Sequence, residues 1–422
     1  MVQWIQGMAG RIRQAGCVRL FYEKQWDARF CSILSVAVYA LLFLYPAIPA
    51  GGMLTIALSA LTALIAIVRD GADTKLKASL FHGHMLLMIV FSLLSSLWAL
   101  QAGAAIEISS SLIKTFFCVG CLYFFFQQEK GTEKILQVIV WGGYLVCLFV
   151  ILCTGPKAIV QGLTLGAYGR LNNAVINANT LGIVAATSAI IHLHWILERK
   201  KFRVWDLFLL LAVIMIAVSG SKKAILFLGA GWILLLGIVS LKKGWKAFAL
   251  TMGAVVAVMA VAMFLPMFEG IRYRIGIMIR SLMSYDGTGS DSTALRITYM
   301  RIGWEQFLKT PLLGVGMDNA RYVAQAQLGY EVYLHNNFAE LLCNGGLIGF
   351  VCYYSLYGYF FWQMFKLRES RDASFRVLLI LSVLLLVMDM AMVTYYSKEM
   401  YFYFMMLVLY VQSLKKNGTG RA

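Results

Sequence analysis

The run Ile135–Cys153, ILQVIVWGGYLVCLFVILC, decides the fold. It holds nineteen residues without a charge, and Gln137 is its one strongly polar member. About 20 residues of this kind cross the hydrocarbon core of a bilayer as a helix. Similar runs recur near 31–47, 49–68, 80–101, 105–126, 179–197, 205–219, 224–241, 246–266, 337–362, 374–395 and 399–414, making twelve in all. A lipid-facing backbone must satisfy its own hydrogen bonds, so each run is expected to be helical. The predicted fold is all-α and polytopic, with about twelve transmembrane helices and both chain ends on one side. Composition agrees: the 422 residues are 60% hydrophobic and 14% charged, whereas a soluble domain is roughly a quarter charged.

The formal charge of +17 suggests nucleic acid, but no basic run interleaved with aromatics lies on a polar domain. No nucleic-acid partner is expected; the lipid bilayer is. The cations instead set orientation. Arg11, Arg13, Arg19, Lys24 and Arg29 precede the first run, and further clusters fall at 69–77, 130–134, 199–203, 242–246, 366–376 and 415–421. With the N-terminus cytoplasmic, these inner segments collect 24 of the 37 Lys and Arg residues, so both termini are expected to be cytoplasmic. Residues 1–30 read as an interfacial segment rather than a cleaved signal, and 415–422 as a cytoplasmic tail. The eight cysteines, Cys118 and Cys121 among them, lie mostly in apolar runs and read as packing.

The basic residues on the other side break the trend. They are Lys157, Arg170, Lys222 and Lys223, and seven in the segment 267–336: Arg272, Arg274, Arg280, Arg296, Arg301, Lys309 and Arg321. That segment separates helices 1–9 (31–266) from helices 10–12 (337–414), and loops of such length are usually functional. Ile and Met at helical spacing over 272–284, and a second amphipathic stretch over 294–308 ended by Pro311 and Gly314, predict short helices within it.

Signatures of zinc hydrolases, nucleotide-binding loops and serine nucleophiles are missing. His82 with His84 and His192 with His194 form two HxH pairs, but no carboxylate or cysteine cluster accompanies them, and they read as interfacial histidines rather than metal ligands. His335 differs. It closes the long loop among outer cations, where a neutral imidazole keeps a low pKa and stays ready to accept a proton. Cations without matching carboxylates imply a polyanionic substrate, and on an outer membrane face a lipid-linked pyrophosphate fits. Glu331 and Glu340 both lie near enough in sequence to orient His335, and the sequence does not choose between them.

These residues carry a resemblance. His335-Asn336, nine residues, then Gly346-Leu347-Ile348-Gly349 matches the H-[N/S/Q]-x9-G-x-x-[G/T/Y] signature of the O-antigen ligase and polymerase superfamily. Pro311-Leu312-Leu313-Gly314-Val315-Gly316 resembles its P-L-x-G-x-G turn, and Arg296 sits where the family places a loop arginine. Ser219-Gly220-Ser221-Lys222 is similar to its S-x-S-R element, with a lysine point charge replacing the arginine fork. Arg170 with Asn177-Ala178-Asn179 is similar to its R…N-P-N segment, with Ala178 in place of proline. Ser96-Leu97-Trp98-Ala99 fits an early-helix pattern.

The resemblance implies a metal-independent glycosyltransferase, without cofactor, in the bacterial cytoplasmic membrane with an extracytoplasmic active site. It would move an undecaprenyl-pyrophosphate-linked oligosaccharide onto a hydroxyl of an acceptor glycan. His335, Arg296 and Lys222 are then the expected catalytic residues. Arg170, Asn179, Lys223, Arg301, Arg321, Asn336 and Gly316 are the expected substrate-binding residues, with no metal ligand. A flippase and a chain-length regulator are the expected protein partners. A polymerase of O-antigen or capsule repeats is favoured over a ligase to the lipid A core. A twelve-span transporter is the rival from another class; it predicts charges along a membrane pathway and paired halves.

Overall fold

The computed structural model describes residues 26–70, 78–128, 131–164, 175–264, 292–368 and 372–419, with isolated positions between 265 and 291. Residues 1–25 of the expected interfacial segment and Arg170 fall outside the described residues, and the predicted helix at 272–284 almost wholly so, while 26–30 already belong to the first helix. No strand occurs among the described residues, and the molecule is an all-α polytopic membrane protein. In chain order the helices are α1 (Trp26–Leu44), α2 (Gly51–Asp70), α3 (Leu80–Ser95), α4 (Ala102–Gln128), α5 (Gly131–Thr154), α6 (Pro156–Thr164), α7 (Ala178–Arg199) and α8 (Phe208–Ser219). They continue as α9 (Lys222–Leu241), α10 (Trp245–Phe264), α11 (Ser292–Lys309), α12 (Ala320–Leu328), α13 (Asn337–Lys366), α14 (Ala373–Met388) and α15 (Lys398–Thr419). Seven of these, α1, α2, α4, α5, α7, α9 and α13, are long and apolar enough to cross a membrane, and α3, α8, α10 and α14 are shorter apolar helices. With α15 they match the twelve expected runs.

Polar caps fix where helices begin. Side chains of Asn177, Ser221, Asn336 and Asp372 accept backbone N–H groups in the first turns of α7, α9, α13 and α14, each cap being worth about 1 kcal/mol. α15 is buried nearly all round from Met400 to Val411, as a helix apolar on every face must be. It packs on α3, α4, α5 and α13. Where lipid is as apolar as leucine, close packing of small residues holds helices together. A Cβ on Gly142 would lie 2.5 Å from the Tyr39 ring, and one on Gly143 would collide with Ser188 Oγ. These contacts seat α5 between α1 and α7.

Two expected runs stop early. The run 80–101 ends as a helix at Ser95, because Ser95 Oγ accepts from Met317 N (3.0 Å) and Leu100 N donates to Val315 O (3.1 Å). The run 374–395 ends at Met388, because Asn337 Oδ1 draws in the N–H groups of Thr394 (2.8 Å) and Tyr395 (3.0 Å). In both cases a distant segment, through the Val315 carbonyl in the first and the Asn337 side chain in the second, offers the backbone better partners than another helical turn would.

Candidate active site

The long segment is anchored by a backbone clip. Gly346 interrupts α13 with φ 58° and ψ −158°, a conformation open almost only to glycine. The break frees carbonyls and N–H groups that the Pro311–Gly316 turn uses. Val315 N donates to Cys343 O (3.0 Å) and Gly316 N to Asn344 O (2.9 Å); Leu347 N donates to Pro311 O (2.8 Å) and Ile348 N to Leu312 O (3.2 Å). Gly314 has φ 64°, and a Cβ there would lie 2.5 Å from the Cys343 and Asn344 carbonyls. A Cβ on Gly316 would strike Ala99, and Trp98 Nε1 donates to Leu313 O (3.2 Å). Three separate sequence motifs therefore form one structural joint. Gly316 belongs to this joint.

Above the clip lies a small second core of Tyr299, Ile302, Val315, Ala320, Val323, Ala324, Leu334 and Cys343, which seats α11 and α12 on the start of α13. The expected amphipathic helix at 294–308 is α11. Asn344, inside the nine-residue spacer, accepts from Asn319 N (2.9 Å) and Ala320 N (2.6 Å) and so holds the start of α12.

His335 precedes the Asn336 cap of α13 and has φ 57°, a left-handed conformation that costs a non-glycine residue about 1–3 kcal/mol. Its ring contacts are aromatic: Tyr333 at 4.0 Å between centroids and Tyr299 at 5.9 Å, the latter nearly parallel. Tyr299 shares its hydroxyl with Tyr330 (3.1 Å). Burial, then the charges of Arg296 and Lys223, lower the His335 pKa to about 4. Arg296 also acts on Tyr299 and Tyr333, whose hydroxyls burial pushes up, Tyr299 to about 12.

The two carboxylates left open by the sequence separate here. Glu340 is buried and Glu331 exposed. Glu340 does not bond the imidazole; its Oε2 accepts the N–H of Leu334 (2.6 Å), the residue before His335, and Asn344 Nδ2 donates to its other oxygen (3.5 Å). It positions the loop backbone.

The S-x-S-K and N-x-N elements meet at this same end of the bundle. Ser221 Oγ donates to Asn179 Oδ1 (3.0 Å). The α14–α15 turn then connects them to His335: Lys223 Nζ donates to Ala391 O, and Asn336 Nδ2 donates to Met390 O (3.1 Å). The Lys223 charge acts on His335; Lys222 opens α9 directly after its cap. Two expected substrate residues are held elsewhere. Arg301 points outward and pairs with Glu305 (3.6 Å). Arg321 pairs with Asp318 (2.9 Å) and lies over the Tyr322 ring, while burial raises Asp318 to about 6.

Among the described residues no group of three or more His, Cys, Asp or Glu side chains could hold a metal. Within the histidine pairs, His192 and His84 have partners in the bundle. His192 bonds Tyr144 (2.5 Å) and Asp206 (2.8 Å), and His84 lies against Tyr353 O (3.3 Å). Sequence reasoning missed the tyrosine cluster and Asn344 as a junction. Aromatics in a basic loop, and an asparagine inside the motif's spacer, were the available signals.

Fold and site together define an integral membrane protein whose loop closes a basic, aromatic, histidine-centred site over one end of a helix bundle. Residues 207–354 match the O-antigen ligase family model. The chain is also similar to the teichuronic acid biosynthesis protein TuaE of Bacillus subtilis (strain 168), 25% identical over 166 residues. That stretch covers 38% of this chain and 34% of the relative, so the alignment spans about a third of the relative's length. The two matches bear out the resemblance to the O-antigen ligase and polymerase superfamily.

Proposed function

We propose that the protein transfers an oligosaccharide from undecaprenyl pyrophosphate to a sugar hydroxyl at the outer face of the bacterial cytoplasmic membrane, acting as a polymerase of polysaccharide repeats. The observation that carries this reading is the placement of His335, ringed by tyrosines, in the field of Arg296 and Lys223. The acceptor oxygen attacks the anomeric carbon while His335 takes the hydroxyl proton. The bond from that carbon to the pyrophosphate oxygen breaks, and its electron pair leaves with the pyrophosphate. Arg296 and Lys223 face the growing negative charge, an interaction stronger in the transition state than in the ground state. With a pKa near 4, the free imidazole is unprotonated at neutral pH but a weak base. A bound pyrophosphate offsets both cations and so raises the basicity that those charges suppress, once donor and acceptor are in place. Positively charged segments on the face opposite His335 support the orientation. The relative's part in teichuronic acid biosynthesis supports polymer building.

The test is a glycan gel from cells expressing wild-type protein or His335→Ala at equal membrane levels. Loss of the ladder, leaving single repeats, is the expected result. Long chains stranded on the lipid carrier would indicate a ligase. An unchanged ladder would remove His335 from catalysis and return the transporter to first place.

A further inference from the structure

A second site lies at the other end of the bundle. α7 begins beside Ser221 at the His335 end and runs 22 residues, about 33 Å at 1.5 Å per residue. Around its far end is a cavity of ≈ 380 Å³ between α5, α7, the Val204–Leu207 turn and the first turn of α14. Its walls carry Trp141, Trp195 and Trp205, the residue type that collects at membrane–water boundaries.

The charges of this cavity are partly matched already. Asp206 takes Arg199 (2.6 Å), His192 (2.8 Å) and the backbone N–H of Arg203 (2.6 Å), and Glu198 pairs with Arg376. Among the described lining residues that leaves one cation and one anion facing the space, Arg203 and Glu133, both exposed. His194 adds an independent feature. It is only 4% exposed, lines the cavity, and hydrogen-bonds to no described residue. Ala373 and Ser374, in the first turn of α14 whose end the Asp372 carboxylate already caps, line the same wall.

A ligand that satisfies these groups carries an anion for Arg203 and the His194 N–H, and a hydrogen-bonding cation for Glu133. We propose that the cavity binds a phosphate–primary-ammonium zwitterion, the headgroup chemistry of an ethanolamine phospholipid, at the membrane face opposite His335. A quaternary ammonium cannot donate to Glu133, and a purely anionic head leaves Glu133 opposed. The site is independent of the chemistry at His335.

Native mass spectrometry of the detergent-purified full chain tests this, with dioleoyl phosphatidylethanolamine, phosphatidylcholine and phosphatidylglycerol added separately. Loss of a charge-assisted contact corresponds to about tenfold in affinity, so the ethanolamine lipid should be retained at about tenfold lower concentration than the choline lipid. Arg203→Ala should weaken both the ethanolamine and glycerol lipids. Glu133→Gln should erase the preference for ethanolamine over choline and spare the glycerol lipid. Both side chains are exposed, so folding is not at stake. Competition by soluble phosphoethanolamine would identify a soluble source of the zwitterion, and its failure to compete would identify the lipid. Equal retention of all three lipids, or unchanged binding in both variants, would overturn the proposal.

Discussion

Replacing Glu340 tests how His335 is held. The Glu340 carboxylate accepts the N–H of wholly buried Leu334 at 2.6 Å. Glu340→Ala leaves that donor unsatisfied, at a cost of about 1–3 kcal/mol. The next residue, His335, holds φ 57° against strain of similar size, about 1–3 kcal/mol. The two are comparable, so losing the acceptor lets the loop relax and takes the imidazole out of place. Carried fully into the transition state, about 1–3 kcal/mol lowers kcat by about 5- to 150-fold. Arg296 and Lys223 are untouched, so KM for the lipid-linked donor should hardly change. Glu340→Gln keeps a carbonyl oxygen for Leu334 and should restore most of the rate. Purified protein assayed for glycan transfer, with a melting curve beside each kinetic run, supplies the comparison. If Ala and Gln are equally impaired, or if Ala raises KM and leaves kcat alone, the positioning role is wrong.

Arg296→Gln removes one of the charges that hold His335 near pKa 4, so the acid limb of the kcat/KM profile should move to higher pH. The stability sign follows the same shift: an unfolded histidine protonates near 6.5 and the folded one near 4, so stability falls as pH drops through that window. Arg296→Gln should flatten that fall, which melting curves across the window would show. Gly346→Ala should lower the melting temperature markedly, since its backbone conformation alone costs about 1–3 kcal/mol in any other residue and the added Cβ collides with Leu312. Arg301→Ala should leave stability within about 0.5 kcal/mol and the glycan ladder intact, because Arg301 is exposed and its ion pair is with the exposed Glu305; loss of the ladder would show a substrate contact there.

The helices were legible because apolar runs in a bilayer have few alternatives. Their ends were less so. Ser95 and Met388 stop helices through partners more than 50 residues away in sequence, Met317 for one and Asn337 for the other, and no local pattern announces such a partner. The histidine and the loop arginine could be named from motif spacing and charge imbalance. Whether Lys222 or Lys223 faces the histidine depends on how α9 is rotated after the Ser221 cap, and Lys223 is drawn in by Ala391. Glu340 was visible as a nearby carboxylate, but that it grips a backbone N–H rather than an imidazole is a matter of loop geometry.

The break at Gly346 also turns the spacing of the motif into a ruler. Nine residues, Asn337 to Gly345, run from the cap beside His335 to the clip, about two and a half helical turns. The clip fixes one end of this short rod against the 311–316 turn, so the azimuth of the other end follows from the residue count. One residue inserted between Asn336 and Gly346 would swing the histidine about 100° around the helix axis, away from Tyr299 and the α14–α15 turn. Within such a rod, side chains can be exchanged to suit a different glycan while the count stays fixed.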